Sequence, residues 1–390
     1  MPQPSHASET LPTMIPRPDL DPRTFHEHAG HSESETIHAD RRRGRGAGLN
    51  MSGRFERESR EALDDGWGSL EELPPFQTDV QEERARTIIT RNASPDISFD
   101  RSINPYRGCE HGCIYCFARP SHAFLGLSPG LDFEAKLFAK PNAAEVLERE
   151  LARPGYQPRT IAIGTNTDPY QPIERSYGLM REILEVLDRY NHPVAIVTKS
   201  ALIERDADIL GRMAERNLAK VALSITTLDR KLCRAMEPRA SAPHKRLAAL
   251  KTLAEAGVPA SVMIAPVIPA LTDSELESIL EAAAEHGADG AAFILLRLPR
   301  EVSELFRDWL VRERPRQYRH VMNLIRSMRD GKDYDAKWGE RMRGTGPYAE
   351  QIARRFQLAT KRLGLNGRRR KLDCDQFVAP QKGGVQLALF

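Results

Sequence analysis

No stretch of the 390-residue chain is apolar for the ~20 residues that a membrane-spanning helix needs. The first 20 residues mix Pro, Ser, Thr and acidic residues, so they lack the basic start and apolar centre of a secretory signal. Cysteine occurs five times, and an odd count does not suit a disulfide framework. These absences predict a cytoplasmic protein without a membrane anchor, whose thiols stay reduced.

Charge is distributed unevenly along the chain. Residues 1–76 carry 9 Lys and Arg against 14 Asp and Glu, show no helical or strand period, and are predicted to form a disordered N-terminal arm. An Arg/Gly run at 41–46 within this arm could contact phosphates. Residues 300–371 carry 20 Lys and Arg against 9 Asp and Glu and read as helical. This excess predicts an anionic partner, of which nucleic acid is the commonest, although solvated helical faces explain it equally well.

Between these ends, short apolar runs alternate with amphipathic segments. The runs cover residues 102–106, 160–165, 193–199, 220–226, 260–268 and 291–298. Runs of this kind indicate strands buried on both faces, and the alternation indicates parallel βαβ units, hence a doubly wound sheet or an incomplete barrel. We therefore expect a core domain at 77–300 and a helical, basic extension at 301–390. Chemistry in either architecture lies at the carboxyl ends of the strands.

A cysteine motif follows the first predicted strand. Cys109, Cys113 and Cys116 have the spacing C-x3-C-x2-C, which lets one loop hold three corners of a four-iron cluster and leaves one iron open. A zinc site is the alternative, but His111 lies too close between the first two cysteines to complete a tetrahedron. Cys233 could approach only through the fold.

The motif C-x3-C-x-aromatic-C, with Tyr115 as the aromatic residue, resembles the signature of radical S-adenosylmethionine (SAM) enzymes. Over about residues 100 to 300 the chain is similar to spore photoproduct lyase-like proteins, also called DNA repair photolyase-like. The resemblance implies a partial (β/α)6 TIM-like barrel that binds a [4Fe-4S] cluster and SAM. It also implies reductive cleavage of SAM to a 5′-deoxyadenosyl radical, with an external reductant such as flavodoxin or ferredoxin.

The resemblance assigns cofactor contacts to side chains and backbone near the strand ends. The rule that chemistry lies at the carboxyl ends of the strands, here called the strand-end rule, adds two charged residues after the fourth strand. Lys199 would hold the cofactor carboxylate, Ser224 would give a hydroxyl, and Phe117 would pack near the adenine. The full predicted cofactor set is Phe117, Thr165, Asn166, Lys199, Ser224, Glu237, Arg239 and Ala265. Each also has an ordinary structural interpretation, such as a core aromatic, a turn, a solvated lysine or a Glu237–Arg239 ion pair.

The chain departs from the lyases at one position. The lyases resemble one another in a cysteine near the end of the second strand, and residues 163–170 contain none, so thymine-dimer repair by that route is not expected. Tyr170 and Cys374 are the remaining candidates for a radical relay or hydrogen donor, with a packed tyrosine and a spare thiol as the alternatives.

We therefore expect a radical enzyme acting on nucleic acid or a nucleotide. Aromatic residues interleaved with the basic C-terminal sequence would stack on bases. They are Trp309, Tyr318, Tyr334, Trp338 and Tyr348. The competing hypotheses are a radical enzyme for a protein or small metabolite, and a non-enzymatic iron–sulfur or zinc module. The sequence does not indicate an oligomeric state.

Overall fold

The computed structural model describes residue 37 and residues 41–56, 75–367 and 371–380. The strands are β1 Asp79–Glu82, β2 Ile89–Arg91, β3 Arg101–Ile103, β4 Tyr106–Arg107, β5 Lys136–Ala139, β6 Ile161–Ile163, β7 Val194–Thr198, β8 Ala219–Ser224, β9 Ala260–Val267 and β10 Gly290–Leu295. The helices are α1 Asp132–Ala135, α2 Ala143–Leu151, α3 Glu174–Tyr177, α4 Leu179–Arg189, α5 Ala207–Glu215, α6 Arg230–Met236, α7 Pro243–Glu255, α8 Leu276–Glu285, α9 Glu301–Glu313, α10 Tyr318–Ser327 and α11 Gly346–Arg362.

Seven strands form the main sheet in the order β10-β9-β8-β7-β6-β3-β2. Six of them are parallel neighbours in chain order, and β2 is antiparallel to β3 at the edge. A doubly wound sheet reverses its strand order at a switch point, and this sheet has no reversal. Together with helices between successive strands, the order confirms the partial (β/α)6 barrel and all six predicted strands.

Amphipathic helices cover the sheet as their periodicity predicts. In α4, Met180, Ile183, Leu184 and Leu187 are all fully buried and belong to one core cluster with the strands. The apolar faces of α7 and α8 are buried as well, and they consist of Leu247, Leu250 and Leu253 in α7 and of Leu276, Ile279, Leu280 and Ala283 in α8. Because these side chains recur every three or four residues, one helix face enters the core and the opposite face stays in water.

A second sheet of three short strands, in the order β1-β5-β4, flanks the cysteine motif. Strand β4 ends at Arg107, two residues before Cys109, so this sheet fixes where the motif begins. Sequence reasoning missed the small sheet because β1 and β4 are two to four residues long and partly polar, which leaves no detectable period.

Residues 41–56 are ordered, although they lie within the arm predicted to be disordered. Ala47 and Leu49 are fully buried, and the backbone amides of Gly46 and Ala47 each donate to the Glu134 carboxylate at 2.9 Å. The disorder prediction is therefore wrong for this stretch, because its few apolar residues join the core of the domain and its amides pair with a buried carboxylate. The other residues of the predicted arm up to 74, apart from Ile37, lie outside the described residues.

Helices α9, α10 and α11 lie within residues 301–362 of the extension that was predicted to be helical. Helix α11 packs on α8, and residues 371–380 run back along the amino ends of β7 and β8. There the amide of Asp373 donates to the Asn217 carbonyl and the amide of Val378 donates to the Tyr190 carbonyl, both at 3.0 Å. Across the described part of the chain, no helix combines the length and the apolar character needed to span a membrane.

Candidate active site

The three cysteines lie in one loop, residues 108–118, which we call the cluster loop. It follows β4 and is held by backbone bonds from the Cys109 amide to the Phe133 carbonyl, 2.9 Å, and from the Ile114 amide to the Met236 carbonyl, 3.0 Å. Gly112 has φ +66°, a left-handed conformation that favours glycine. The turn that separates the first two cysteines therefore depends on this glycine.

The thiols of Cys109 and Cys113 are buried and that of Cys116 is half-buried. Burial raises the pKa of Cys109 and of Cys113 above the ordinary thiol value, and the charges of neighbouring groups, including the other thiols of the loop, raise them further. Cys116 packs against the apolar cluster that contains Cys109 and also against the one that contains Cys113, so the three side chains lie near one another. Iron displaces the thiol protons when it binds, and cysteine thiolates are the usual ligands of iron–sulfur clusters, so the residues of the cluster loop fit a four-iron cluster.

The sequence spacing C-x3-C-x2-C places three thiols in one loop, where each can bind a different iron of a four-iron cluster. Within the described residues, no three His, Cys, Asp or Glu side chains converge closely enough to hold one metal ion. A zinc ion takes all its ligands at one point, whereas a four-iron cluster binds each cysteine at a different iron.

A fully buried ion pair between Arg119 and Glu134 packs against the cluster loop. Sequence reasoning missed this pair. Arg119 donates to Glu134 at 2.5 Å, to the Cys113 carbonyl at 3.0 Å and to the Gly130 carbonyl at 2.8 Å. Glu134 is the carboxylate that also accepts the amides of residues 46 and 47. Arginine is suited to this position because its planar fork bonds several acceptors at once.

Three predicted cofactor residues meet at the carboxyl ends of β7, β8 and β9. The Lys199 ammonium lies 2.7 Å from the Ser224 hydroxyl and 3.3 Å from the Ala265 carbonyl, and the Ser224 hydroxyl is also 3.3 Å from that carbonyl. We call this set the strand-end group. It presents a cation and a hydroxyl from strands that are far apart in sequence, as the strand-end rule predicts.

Glu237 adjoins the strand-end group but pairs with a residue that was not predicted. Its carboxylate accepts hydrogen bonds from Arg246, from the Tyr115 hydroxyl and from Thr226, the last at 2.8 Å. Burial alone would raise the pKa of Glu237, but the positive charges of Arg246 and Lys199 outweigh it and lower the pKa to about 2. Glu237 is therefore a buried anion that fixes the motif tyrosine.

Arg239 is not part of this group. Its guanidinium lies 3.0 Å from Glu110 and 3.1 Å from Thr78, on the outer side of the cluster loop. The suggested Glu237–Arg239 pair is thus wrong, because Glu237 pairs with Arg246 and Arg239 pairs with Glu110.

The turn after β6 carries the remaining predicted polar residues. Asp168 accepts hydrogen bonds from Thr198 at 2.6 Å and from the Lys199 amide at 2.7 Å, and it faces His111 at 3.4 Å. These contacts tie β6 and β7 to the cluster loop. Thr165 and Asn166 are half-buried, and their side chains have no hydrogen-bonding partner within the ranges that the structure covers, so they remain available to a ligand.

Phe117 lies at the open face of the site with Arg297 over its ring. The guanidinium carbon is 4.2 Å from the ring centroid, and 45% of the Phe117 surface is exposed. Burial lowers the pKa of Arg297, and no hydrogen bond or ion pair links it to another described residue. Sequence reasoning missed Arg297, although it lies only two residues after the last barrel strand.

The structure brings neither radical-relay candidate to the cysteines. The Tyr170 hydroxyl donates to Asp206 at 3.0 Å within the main core, so the packed interpretation holds. Cys374 lies in the segment at the amino ends of β7 and β8, whereas the strand-end group lies at the carboxyl ends. The suggestion that Cys374 folds back to the site is therefore wrong.

Two of the five C-terminal aromatics cannot stack on bases. Trp309 is fully buried and donates to the Ala235 carbonyl at 3.0 Å, and Tyr318 is buried in the same core cluster. Tyr348 donates to Asp273 at 2.6 Å. Trp338 is 55% exposed beside Arg341, and Tyr334 is half-buried, so these two keep accessible surface.

A partial barrel with three cysteines in the loop after its first parallel strand defines a class of iron–sulfur enzymes. The family model described as "Radical SAM superfamily" matches residues 103–283, and the chain belongs to this superfamily. Its cofactors are a [4Fe-4S] cluster and SAM, and members of the family are enzymes that cleave SAM by means of the cluster.

Similar proteins include an uncharacterized protein of Mycobacterium tuberculosis, 39% identical over 232 residues, 59% of this chain and 68% of the relative. An uncharacterized protein of Methanocaldococcus jannaschii is 31% identical over 173 residues, 44% of this chain and 62% of the relative. Among solved structures, spore photoproduct lyase mutants match with TM-scores up to 0.55 at 16% identity, covering 73% of this chain and 80% of theirs. A complex of that lyase with dinucleoside spore photoproduct matches with a TM-score of 0.51. At this identity the likeness establishes the fold.

Proposed function

We propose that this protein cleaves SAM reductively and uses the resulting radical to abstract hydrogen from a nucleic acid or nucleotide. The observation that carries the proposal is the juxtaposition of the cluster loop with the strand-end group. The Lys199 ammonium lies 5.8 Å from the centroid of the Tyr115 ring in the cluster loop, so a small molecule bound beside that loop would meet the ammonium group.

Each residue has a separate part in this proposal. Cys109, Cys113 and Cys116 would hold the cluster, which supplies one electron for cleavage of SAM and keeps one iron open for it. Lys199 would pair with the carboxylate of SAM, as a compact cation suits. The Ser224 hydroxyl orients the ammonium group, to which it is bonded.

Further residues would shape the remaining walls of the cofactor site. Thr165 and Asn166, after β6, offer half-buried side chains that have no hydrogen-bonding partner among the described residues. Ala265 presents its carbonyl to the strand-end group. Glu237 keeps its charge through Arg246 and so holds the Tyr115 ring against the site.

The substrate class rests on Arg297 and Phe117. A guanidinium that forms no hydrogen bond or ion pair with any described residue suits a phosphate, and an exposed ring suits a base. The basic C-terminal sequence favours the same class, and a structurally similar lyase has been crystallised with a dinucleoside spore photoproduct. Because residues 163–170 contain no cysteine, we expect the substrate radical to be quenched in a different way from that of the lyases.

The reaction is tested by anaerobic reconstitution, metal analysis and an assay for 5′-deoxyadenosine. We expect wild type to bind iron and to release 5′-deoxyadenosine under reducing conditions. Cys113→Ala should lose both, because it removes one of three cluster ligands. Cys374→Ala is the matched control and should behave as wild type. Zinc in place of iron, or equal product from both variants, would contradict the proposal.

The substrate class is tested by binding of single-stranded oligonucleotides across a salt series. Each phosphate contact on a single strand contributes about −0.7 to the slope of log affinity against log salt. Arg297→Ala should bind more weakly than wild type and with a shallower slope, whereas Arg354→Ala, on the exposed face of α11, should not. Binding that is absent or indifferent to salt would favour a protein or small-metabolite substrate.

A further inference from the structure

A surface cavity of about 530 Å³ lies on the outer side of the cluster loop. Its charged lining consists of Arg43, Arg45, Arg239 and the single carboxylate Glu110. None of the residues around it comes from the main sheet. The cavity is therefore separate from the strand-end group, which consists of residues from β7, β8 and β9.

The cavity carries a net positive charge. Arg239 is paired with Glu110, and buried Arg45 donates to the Glu134 carbonyl at 2.7 Å. Burial lowers the pKa of Arg45, and the charge of Arg239 lowers it further, as expected where cations crowd together. Arg43 is exposed and forms no ion pair with any residue in the described ranges. The positive charges outnumber Glu110 and the exposed Asp79 nearby, so the surface attracts anions.

The occupant of this cavity would lie beside a cluster ligand. Glu110 directly follows Cys109, and the Arg239 amide donates to the His111 carbonyl at 3.3 Å. The proposed reaction consumes one electron that the protein does not itself contain. That electron has to enter through a surface that lies close to the cysteines and that SAM and substrate do not cover.

We propose that this cavity and its arginines are the docking site for an acidic one-electron carrier protein of the flavodoxin or ferredoxin class. The inference rests on the proposed function, because only a redox cluster needs such a partner. One electron leaves the carrier, which is oxidised, and reduces the cluster; no atom is transferred. Nucleic acid fits this cavity less well, because bases need accessible rings on which to stack. The one aromatic residue that lines the cavity, Phe76, is half-buried, with the Arg41 guanidinium 4.7 Å from its ring centroid.

The test follows loss of cluster absorbance after reconstituted protein is mixed with reduced flavodoxin in a stopped-flow instrument. We expect the second-order rate of wild type to fall as salt increases, because the attraction is screened. Arg43→Glu should be slower than wild type by roughly tenfold at low salt and should approach it at high salt. Arg43→Lys should remain close to wild type. Arg354→Glu on α11 is the matched charge-reversal control and should not change the rate.

Reduction by dithionite separates docking from the chemistry. All variants should be reduced equally by dithionite and should then give equal 5′-deoxyadenosine, since Arg43 contacts no cluster ligand. A missing 5′-deoxyadenosine signal in every variant would refute the proposed function, while the flavodoxin rates would still report on docking. Equal flavodoxin rates for Arg43→Glu and Arg354→Glu would refute the docking site. A loss of oligonucleotide affinity in Arg43→Glu with unchanged reduction would assign the cavity to nucleic acid.

Discussion

At the scale of single residues, the site depends on charges that are buried only because they are paired. Glu237 and Arg246 are both almost fully buried, and Cys233 lies within 3.6 Å of the carboxylate. Such a pair is costly to break, because the remaining charge keeps its burial and loses its partner. The sequence identified Glu237 through its place after a strand, whereas Arg246 lies nine residues later on a helix and has no strand-end signature.

Replacing Arg246 by methionine should therefore destabilise the protein by about 3 to 5 kcal/mol, the usual cost of leaving a buried charge unpaired. Urea unfolding of the apoprotein measures this. The control is Arg362→Met, which removes an exposed pair with Glu281 and should cost no more than about 1 kcal/mol. Equal losses would show that the Arg246 pair is not buried in solution.

The same pair predicts how stability depends on acid. The folded pKa of Glu237 is lowered to about 2, so its contribution is complete above the unfolded value and is lost as the pH falls through about 2. In Glu237→Gln this part of the acid dependence should be absent. Urea titrations between pH 5 and about 2 compare the two proteins, and parallel stability curves would contradict the assignment.

At the scale of elements, the segment 41–56 supports the cluster loop through a close backbone approach. A side-chain carbon added at Gly46 would lie 1.9 Å from the Gly112 carbonyl oxygen, so the segment or the loop would have to move. The sequence showed an Arg/Gly run here and suggested phosphate contact. Gly46 is instead required because a side chain there would clash with the cluster loop. No pattern in the Arg/Gly run reveals this requirement.

Gly46→Ala should loosen this segment and lower stability by about 1 to 3 kcal/mol, as overpacking usually does. Hydrogen exchange of residues 41–56 and of the cluster loop would show the change, and thermal unfolding would give its cost. Gly44→Ala is the matched control, because a side chain there meets nothing within 4 Å and adds only the strain of its φ of +76°. Equal exchange in the two variants would rule out the close approach.

At the scale of the whole molecule, sequence reasoning predicted the strands and helices of the barrel, but it did not predict the contacts between the two edges of the main sheet. Long apolar runs and helical stripes predict the strands and helices because burial imposes their periods. The contacts that join the barrel's edges come from polar loops without a period. Asp96, between β2 and β3, accepts hydrogen bonds from Arg341 at 2.5 Å and from the Gly339 amide at 2.7 Å, and the Met342 carbonyl accepts the Leu295 amide of β10.

Asp96→Ala should therefore separate the two edges of the sheet locally. We expect faster hydrogen exchange in residues 92–100 and 339–343, with the core strands unchanged and a stability loss of about 1 to 3 kcal/mol for the lost charged hydrogen bonds. Asp335→Ala, in the same C-terminal loop, serves as the control. Unchanged exchange in both ranges would mean that Asp96 does not join the edges.

The packing of residues 41–56 against Glu134 also has a practical consequence for shortened forms of the enzyme. The family match begins at residue 103, so a version trimmed to that boundary looks complete by homology. Such a version would strip two amide donors from a buried carboxylate and uncover the turn at Gly112. It should purify with less iron and bleach sooner in air than the 390-residue chain.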